Sequence, residues 1–297
     1  TIAMDNTRMD YQGNIFRPPS EAHSILLQVT TGCSHNKCTF CRMYKGSRFS
    51  IKDDKTIMAD IDFAARNCRR QHRLFLCDGD ALILPQKRLV KILSAIQTKL
   101  PWVTRIGIYA NTKSIQRKSP EELRELHDLG LGIAYMGLES GDDVTLKAIN
   151  KGSDTKRMIE MGKKIRASGI KLSITVLLGI AQKERSHIHA KETGRVLSEI
   201  DPEYVGALSL MLPPETPLFE ALQRGEFYLL NSMEMLEELG IMLANTELTN
   251  GYFHANHASN YLPVKAKLPK DKVATLKLID DALKGKISLK PEHMRGL

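Results

Sequence analysis

The chain has 297 residues, of which 42% are hydrophobic and 26% are charged. This length supports a large hydrophobic core without disulfide staples, and the proportions exclude a disordered, collagen-like or coiled-coil protein. No run of about 18 apolar residues is present to cross a bilayer, and no secretion signal opens the chain, so we expect no membrane association.

The cysteines are unevenly distributed. There are five, three of which lie within nine residues, and none follows Cys77. An odd, clustered set is a poor disulfide framework and is typical of a reducing compartment, where such cysteines bind metal or carry out chemistry. We therefore expect a cytoplasmic protein with a metal or catalytic site at the cysteine cluster.

The charge balance is basic. Lys and Arg number 43 against 34 Asp and Glu, giving a net charge of +9, of which residues 263–297 contribute +5. This excess leaves nucleic acid or an anionic small molecule open as a partner. Because the basic tail lacks interleaved aromatic residues, a solvated surface is the favoured interpretation, and nucleic acid is a possible but not favoured partner.

Strand and helix patterns alternate along the chain. Segments of helical periodicity, one opened by Ser119 and closed by Gly130 and another capped by Asp154 and ended by Gly169, separate the apolar runs. This alternation predicts an α/β protein with right-handed crossovers and a parallel sheet, either doubly wound or curled into a barrel. Six apolar, β-branched runs predict buried strands: residues 24–30, 73–77, 105–109, 132–138, 171–179 and 204–210.

The pattern changes after residue 210. Proline-rich turns, two helical stretches and an irregular polar run replace the alternation, which predicts a small α-rich C-terminal appendage. We expect an N-terminal extension over residues 1–20, a core over 21–212 and the appendage over 213–297. Within the polar run 251–263, His257 is a candidate catalytic or substrate-contacting residue, and the alternative is an exposed loop.

The loop after the first predicted strand contains Cys33, Cys38 and Cys41 in the spacing C-x4-C-x2-C. The carboxyl edge of a parallel sheet is where α/β proteins place their active sites. Soft thiolates suit an iron–sulfur cluster or zinc, and three ligands instead of four leave a metal position open for catalysis. Zinc stays an alternative, with His35 as the fourth ligand.

This segment, with Phe40 just before the third cysteine, resembles the cluster loop of the radical S-adenosylmethionine (radical SAM) enzymes. The common spacing in that family has three residues between the first two cysteines, and this chain has four. The resemblance implies a six-unit partial (β/α) barrel, in agreement with the six predicted strands. It covers about residues 20 to 210.

Further motifs of the family follow in order. Asp78-Gly79-Asp80 resembles the glycine-rich motif that binds the methionyl amino group. Residues 137–141, Gly-Leu-Glu-Ser-Gly, are similar to the ribose and methionyl contact region of the coproporphyrinogen dehydrogenase and elongator-type branch, and residues 178–180 stand where the family contacts adenine. Tyr109 and Asn111 follow the third strand and are expected at the same edge, with turn and core as the alternative. The cofactor contacts expected are Phe40, Asp78, Gly79, Asp80, Asn111, Glu139, Ser140 and Leu178, and Tyr109 is a second candidate catalytic residue.

The resemblance implies a specific chemistry. Cys33, Cys38 and Cys41 would ligate a 4Fe-4S cluster whose fourth iron binds S-adenosylmethionine (SAM). An external electron donor such as flavodoxin or ferredoxin would reduce the cluster, and a 5′-deoxyadenosyl radical would abstract hydrogen from a small-molecule or cofactor-precursor substrate. The alternatives are the same chemistry on transfer RNA, and a non-catalytic protein that binds zinc or nucleic acid.

Overall fold

The computed structural model describes residues 8–296. The chain forms two compact units, the first made of Thr1–Asn36, Met43–Tyr135 and Lys164–Lys171, and the second of Lys37–Arg42, Met136–Lys163 and Leu172–Leu297. None of the helices in the described part of the chain combines the length and the hydropathy needed to span a bilayer.

Strands and helices alternate as the sequence predicts. The strands are β1 Ile25–Gln28, β2 Thr30–Thr31, β3 Ser50–Ile51, β4 Arg73–Cys77, β5 Arg105–Tyr109, β6 Leu131–Glu139, β7 Lys171–Leu178, β8 Tyr204–Ser209, β9 Tyr252–Ala255 and β10 Val264–Lys267. The α-helices are α1 Asp54–Asn67, α2 Gln86–Lys99, α3 Thr112–Gln116, α4 Pro120–Asp128, α5 Asp143–Ala148, α6 Thr155–Ala167, α7 Gln182–Ile200, α8 Pro217–Gln223, α9 Ser232–Ala244 and α10 Lys272–Leu283.

The main sheet has eight strands in the hydrogen-bonded order β1-β4-β5-β6-β7-β8-β9-β10. The pairs β1–β4, β4–β5, β5–β6, β7–β8 and β8–β9 are parallel, whereas β9–β10 is antiparallel. All six predicted strands are present, and the predicted α/β class with a mostly parallel sheet is confirmed.

In the first unit, the helices bury one apolar face each and have sequence-encoded ends. Asp53 caps α1 by accepting a hydrogen bond from the Thr56 backbone N–H at 2.9 Å, and Ile57 and Ile61 on the inner face are fully buried. Ser119 and Glu122 form the capping box that opens α4. These side chains satisfy N–H groups that the first helical turn leaves unpaired.

In the second unit, one expectation is wrong. The polar run that begins at residue 251 was expected to be a loop, yet its start is strand β9, which pairs with β8 on one side and β10 on the other. Phe253 and Ala255 are fully buried, while Tyr252 and His254 point to the opposite face. The alternation is real, but it spans only four residues, and the Tyr and His on the outer face made the run read as polar.

Candidate functional site

The motif residues belong to both compact units. Cys33, Asp78-Gly79-Asp80, Tyr109 and Asn111 lie in the first unit, and Cys38, Phe40, Cys41, Glu139, Ser140, Leu178 and His257 lie in the second.

The end of β4 approaches the first cysteine of the loop closely. A Cβ atom at Gly79 would lie 2.8 Å from Cys33 Cβ and 3.0 Å from the ring of Tyr44. The Gly79 backbone N–H donates to the Gly32 carbonyl at 3.0 Å. Glycine is therefore required at position 79, because any side chain there would displace the cysteine. The predicted glycine-rich motif and the predicted cluster ligand Cys33 are thus brought together.

Asp78 lies buried at the same strand end. Its backbone has φ +74°, in the left-handed region. Its Oδ2 accepts hydrogen bonds from Gln28 Nε2 at 2.8 Å and from the Gly32 backbone N–H at 3.2 Å. Its Oδ1 is buried without a partner among the described residues. Burial raises the pKa of Asp78 to about 6, against the lowering effect of the two hydrogen bonds. One carboxylate oxygen is thus held by the protein and the other is left to accept a ligand donor.

Asp80 and Asn111 bind each other. Asp80 Oδ2 accepts from Ser34 Oγ at 2.6 Å and from Asn111 Nδ2 at 2.8 Å, and its Oδ1 is buried without a partner in residues 8–296. Burial raises the pKa of Asp80, which those hydrogen bonds oppose. Asn111 Oδ1 also caps α3 by accepting from the Ser114 backbone N–H at 3.0 Å. Asn111 therefore has a structural role whether or not it contacts a cofactor.

Tyr109 ends β5 in an aromatic group. Its ring makes edge-on contacts with Phe75 at 5.0 Å and with Tyr135 at 6.1 Å between ring centroids. Burial raises the pKa of the Tyr109 phenol. The hydroxyl is therefore a hydrogen-bond donor at neutral pH, which suits substrate contact more than acid–base catalysis.

In the second unit, the cysteine loop is held by its backbone. The Thr39 N–H donates to the Ile149 carbonyl at 3.1 Å, and the Thr39 carbonyl accepts from the Leu218 N–H at 3.1 Å. Phe40 packs against an apolar cluster made of Leu146, Ile149, Leu177, Ile180, Leu210, Phe227, Leu230 and Met235. Cys38 and Cys41, on either side of these anchors, are both half-buried.

Glu139 ends β6 with φ +64° and is buried. Its Oε1 accepts from Lys151 Nζ at 2.9 Å. A Cβ at Gly137 would lie 2.2 Å from this Oε1 and 2.8 Å from the ammonium, so glycine leaves the room that the pair occupies. The expected carboxylate is thus present at the strand end with a lysine partner that the sequence did not reveal.

A buried hydrogen-bond network connects Ser140 to Gly179, the residue after Leu178. Ser140 Oγ lies 2.7 Å from His189 Nδ1, and His189 Nε2 lies 3.1 Å from the Leu177 carbonyl and 3.3 Å from Glu238 Oε1. Since a carbonyl only accepts, the contact with Leu177 requires a proton on Nε2. Glu238 Oε1 in turn accepts from the Gly179 backbone N–H at 2.7 Å. The loops after β6 and β7 are therefore linked through α7 and α9.

His189 and Glu238 were missed by the sequence reasoning. Both side chains are fully buried. One feature of the sequence could have indicated Glu238. It is an acidic residue in the middle of the largely apolar helix α9, SMEMLEELGIMLA.

His257 makes local contacts. Its Nδ1 lies 2.9 Å from Ser259 Oγ and accepts from the Ser259 backbone N–H at 3.1 Å. Burial lowers the His257 pKa, and the positive charge of Lys290 lowers it further. These contacts are those of a self-satisfied turn, and they do not join His257 to the other predicted site residues.

The basic tail is partly neutralised by its own acids. Lys277 and Lys286 pair with Asp281 at 2.6 and 3.0 Å, and Lys284 pairs with Asp280 at 2.6 Å. Exposed pairs of this kind add little stability, and their carboxylates are already counted in the net charge of +5 over residues 263–297.

The end of β4 and the cysteine loop offer a thiol and a carboxylate oxygen that is unpaired among the described residues. Within residues 8–296, no group of three or more His, Cys, Asp or Glu side chains converges on a single ion. The close approach of Gly79 to Cys33 and the unpaired Asp78 Oδ1 fit a cluster with an amine-bearing ligand beside it.

One family model matches the chain. The model of the radical SAM superfamily matches residues 27–190, more than half of the chain. An uncharacterized protein of Methanocaldococcus jannaschii is 23% identical over 263 residues, covering 84% of this chain and 76% of that protein. The heme chaperone HemW of Bacillus subtilis is 22% identical over 190 residues, covering 63% of this chain and 49% of that protein.

Solved structures share the fold. Methylornithine synthase aligns with a TM-score of 0.52 at 15% identity, over 76% of this chain and 63% of that one. Coproporphyrinogen III oxidase from Escherichia coli aligns with a TM-score of 0.52 at 14% identity, over 74% of this chain and 51% of that one. The matched region thus spans about half the length of the heme chaperone and of the oxidase.

Proposed function

Because the chain belongs to the radical SAM superfamily of enzymes, we propose that it uses a 4Fe-4S cluster and SAM to abstract hydrogen from a small-molecule or cofactor-precursor substrate. Cys33, Cys38 and Cys41 are the proposed cluster ligands. The observation that carries the proposal is the close approach of Gly79 to Cys33, which joins the first cysteine to the motif proposed to hold SAM. When bound, the reduced cluster and SAM supply a one-electron cleavage that generates the hydrogen-abstracting species.

The residues at the end of β4 are proposed to hold the amino end of SAM. Asp78 Oδ1 is buried and unpartnered in the described residues, so an ammonium donor would satisfy it. Gln28 and the Gly32 backbone keep Oδ2 fixed, so the carboxylate is oriented before the ligand arrives. Gly79 leaves its own backbone open to close approach.

The second unit is proposed to hold the nucleoside end. Glu139 presents a carboxylate oriented by Lys151, which suits a ribose hydroxyl donor. Ser140 and the Leu178–Gly179 backbone are fixed by His189 and Glu238. Phe40 adds an apolar surface beside the cysteines that excludes water from the reacting centre.

The partners proposed are a small-molecule substrate and an external electron donor such as flavodoxin or ferredoxin. Transfer RNA is not part of the proposal, because the basic tail over residues 263–297 contains no aromatic residues between its basic ones.

The test is anaerobic reconstitution. Cluster-loaded protein treated with dithionite and SAM is expected to contain about four irons per chain and to produce 5′-deoxyadenosine. Cys38→Ala should lose both properties. Cys68→Ala is the matched control, because Cys68 ends α1 and is not part of the C-x4-C-x2-C motif, so this variant should retain both. Zinc without iron, or a loaded cluster that never cleaves SAM, would overturn the proposal.

A further inference from the structure

The N-terminal segment of the first unit is anchored beside the cysteine loop. The Phe16 ring contacts the Tyr44 ring edge-on, with 5.4 Å between ring centroids. The Tyr44 ring lies 3.0 Å from the Cβ position of Gly79, which itself contacts Cys33. Phe16 is therefore one aromatic ring away from the contact between the glycine-rich motif and the first cluster ligand.

A second anchor follows four residues later. Ser20 Oγ lies 2.9 Å from the Tyr135 hydroxyl, and that hydroxyl donates to Glu21 at 2.5 Å. The Tyr135 ring in turn contacts the Tyr109 ring at the end of β5. Residues 17–19 thus connect a point beside Cys33 to the aromatic group formed by Phe75, Tyr109 and Tyr135, and the two proline rings at 18 and 19 stiffen this connection.

Arg17 lies between the two anchors with its side chain exposed. Its positive charge lowers the pKa of the Tyr109 phenol and of the Cys77 thiol, although burial raises both values overall. Tyr109 and Cys77 are the last residues of β5 and β4. Independently of charge, Phe16 contacts Tyr44 beside Gly79, and Ser20 contacts Tyr135, which pairs with Tyr109 in the sheet. Arg17 lies between these two contacts, so its backbone lies near the carboxyl ends of β4 and β5.

Arg17 has no ion-pair partner among residues 8–296, and the neighbouring charges are already committed. Glu21 is fully buried and binds Arg105 at 2.5 Å. Lys52, which also acts on Cys77, is buried and bound to Asp10 at 3.0 Å and Asp60 at 3.2 Å. Lys52 is thus closed to an external ligand, whereas Arg17 is exposed and unneutralised.

We propose that Arg17 binds a carboxylate or phosphate group of the substrate at the mouth formed by the ends of β4 and β5. The proposal rests on the proposed function for the identity of this edge as the substrate site. A planar guanidinium forms two parallel hydrogen bonds with an oxyanion, and arginine is the residue best suited to that geometry. The protonated Tyr109 hydroxyl at the end of β5 is a second donor for the same group. The substrate is thus a small organic anion.

The test maps arginine accessibility in the wild-type, cluster-loaded protein, so folding of a variant is not at issue. The protein is treated with phenylglyoxal alone, with inorganic phosphate, with acetate, or with SAM, and the modified arginines are identified by peptide mass spectrometry. Arg70 is the matched control, since it is exposed in the same unit beyond the end of α1. Phosphate or acetate at about 10 mM is expected to slow modification of Arg17 about threefold, as for a site with a dissociation constant in the millimolar range. The modification rate of Arg70 should be unchanged.

Two outcomes contradict the proposal. If neither anion slows modification of Arg17, there is no oxyanion site. If SAM alone protects Arg17 and the anions add nothing, the guanidinium serves the cofactor carboxylate and the substrate assignment is wrong. SAM cleavage measured on the same samples separates the two proposals: cleavage without anion protection overturns only the anion site, and protection without cleavage overturns only the radical chemistry.

Discussion

Cys33, which is distant from position 79 in the sequence, leaves room only for glycine at that position. Since an added Cβ would lie 2.8 Å from Cys33 Cβ, we expect Gly79→Ala to displace Cys33 and to lower the iron content severalfold from about four per chain. The matched control is Gly206→Ala on β8, where the added Cβ meets only Leu208 at 3.8 Å. Iron and sulfide counts, with circular dichroism to check folding, measure the effect. A folded Gly79→Ala protein with full iron content would show that the Gly79–Cys33 contact does not control cluster loading.

For Asp78, a contribution to SAM binding can be distinguished from a contribution to stability, because one substitution should change the two in different directions. Burial raises its pKa to about 6, so at neutral pH the folded state holds an ionised carboxylate at a cost in stability relative to the unfolded chain. This cost is absent when the group is protonated and grows as pH rises from the unfolded pKa through about 6. Asp78→Asn removes the charge and keeps an oxygen for Gln28 and Gly32. We expect unchanged or higher thermal stability at neutral pH.

The same variant is expected to bind SAM about tenfold more weakly, a loss of about 1.4 kcal/mol, because the amide replaces the oxygen proposed to accept from the ammonium. Equilibrium binding to the cluster-loaded protein measures this. Weaker SAM binding together with lower thermal stability would indicate a purely structural role for Asp78, as would an unchanged affinity.

At the level of elements, α9 supports two loops through one carboxylate. Glu238 accepts from the Gly179 N–H and from Ser186 Oγ at 2.5 Å, and it lies 3.3 Å from His189 Nε2. Glu238→Ala leaves these buried donors unpaired, so we expect a loss of about 3 kcal/mol in the free energy of unfolding and weaker SAM binding. Glu238→Gln keeps one acceptor oxygen, so it should lose less unfolding free energy and less SAM affinity than Glu238→Ala.

The control for Glu238 is its neighbour. Glu237 is about half exposed and lies 3.3 Å from His187 on the surface. Glu237→Gln should leave unfolding and SAM affinity within error, because surface pairs contribute little. Denaturant unfolding and SAM titration of the three variants provide the comparison. Equal effects of Glu237→Gln and Glu238→Ala would show that the network does not position the loops.

The sequence was sufficient for elements whose signal is local. Buried parallel strands read as continuous apolar runs, so all six expected strands were found, and capping residues such as Ser119 marked helix ends directly. β9 was missed because only two of its four residues face the core. The link from Ser140 through His189 to Glu238 was missed because its members lie 49 residues apart at each step, and each alone reads as an ordinary helix or loop residue.

At the scale of the whole chain, contacts between residues distant in the sequence decide whether the rest of the protein can fold without residues 213–297. β8 forms a parallel ladder with β9, and Phe227, Leu230 and Met235 complete the apolar cluster on which Phe40 packs. Deleting 213–297 would therefore expose a sheet edge, remove three of the eight residues of that cluster and uncover the other five, and would remove Glu238.

We expect a chain ending at residue 212 to fail to unfold cooperatively and to load little iron. A chain ending at residue 287 is the control: it keeps β9, β10 and α10, and it should retain its cluster and unfold as one transition. Calorimetry and iron counts after anaerobic reconstitution distinguish the two. A cooperatively folded, iron-loaded 1–212 chain would mean that the C-terminal residues only cover the site. In that case, loss of these residues should lower the conversion of substrate only. SAM cleavage measured without substrate should be unchanged.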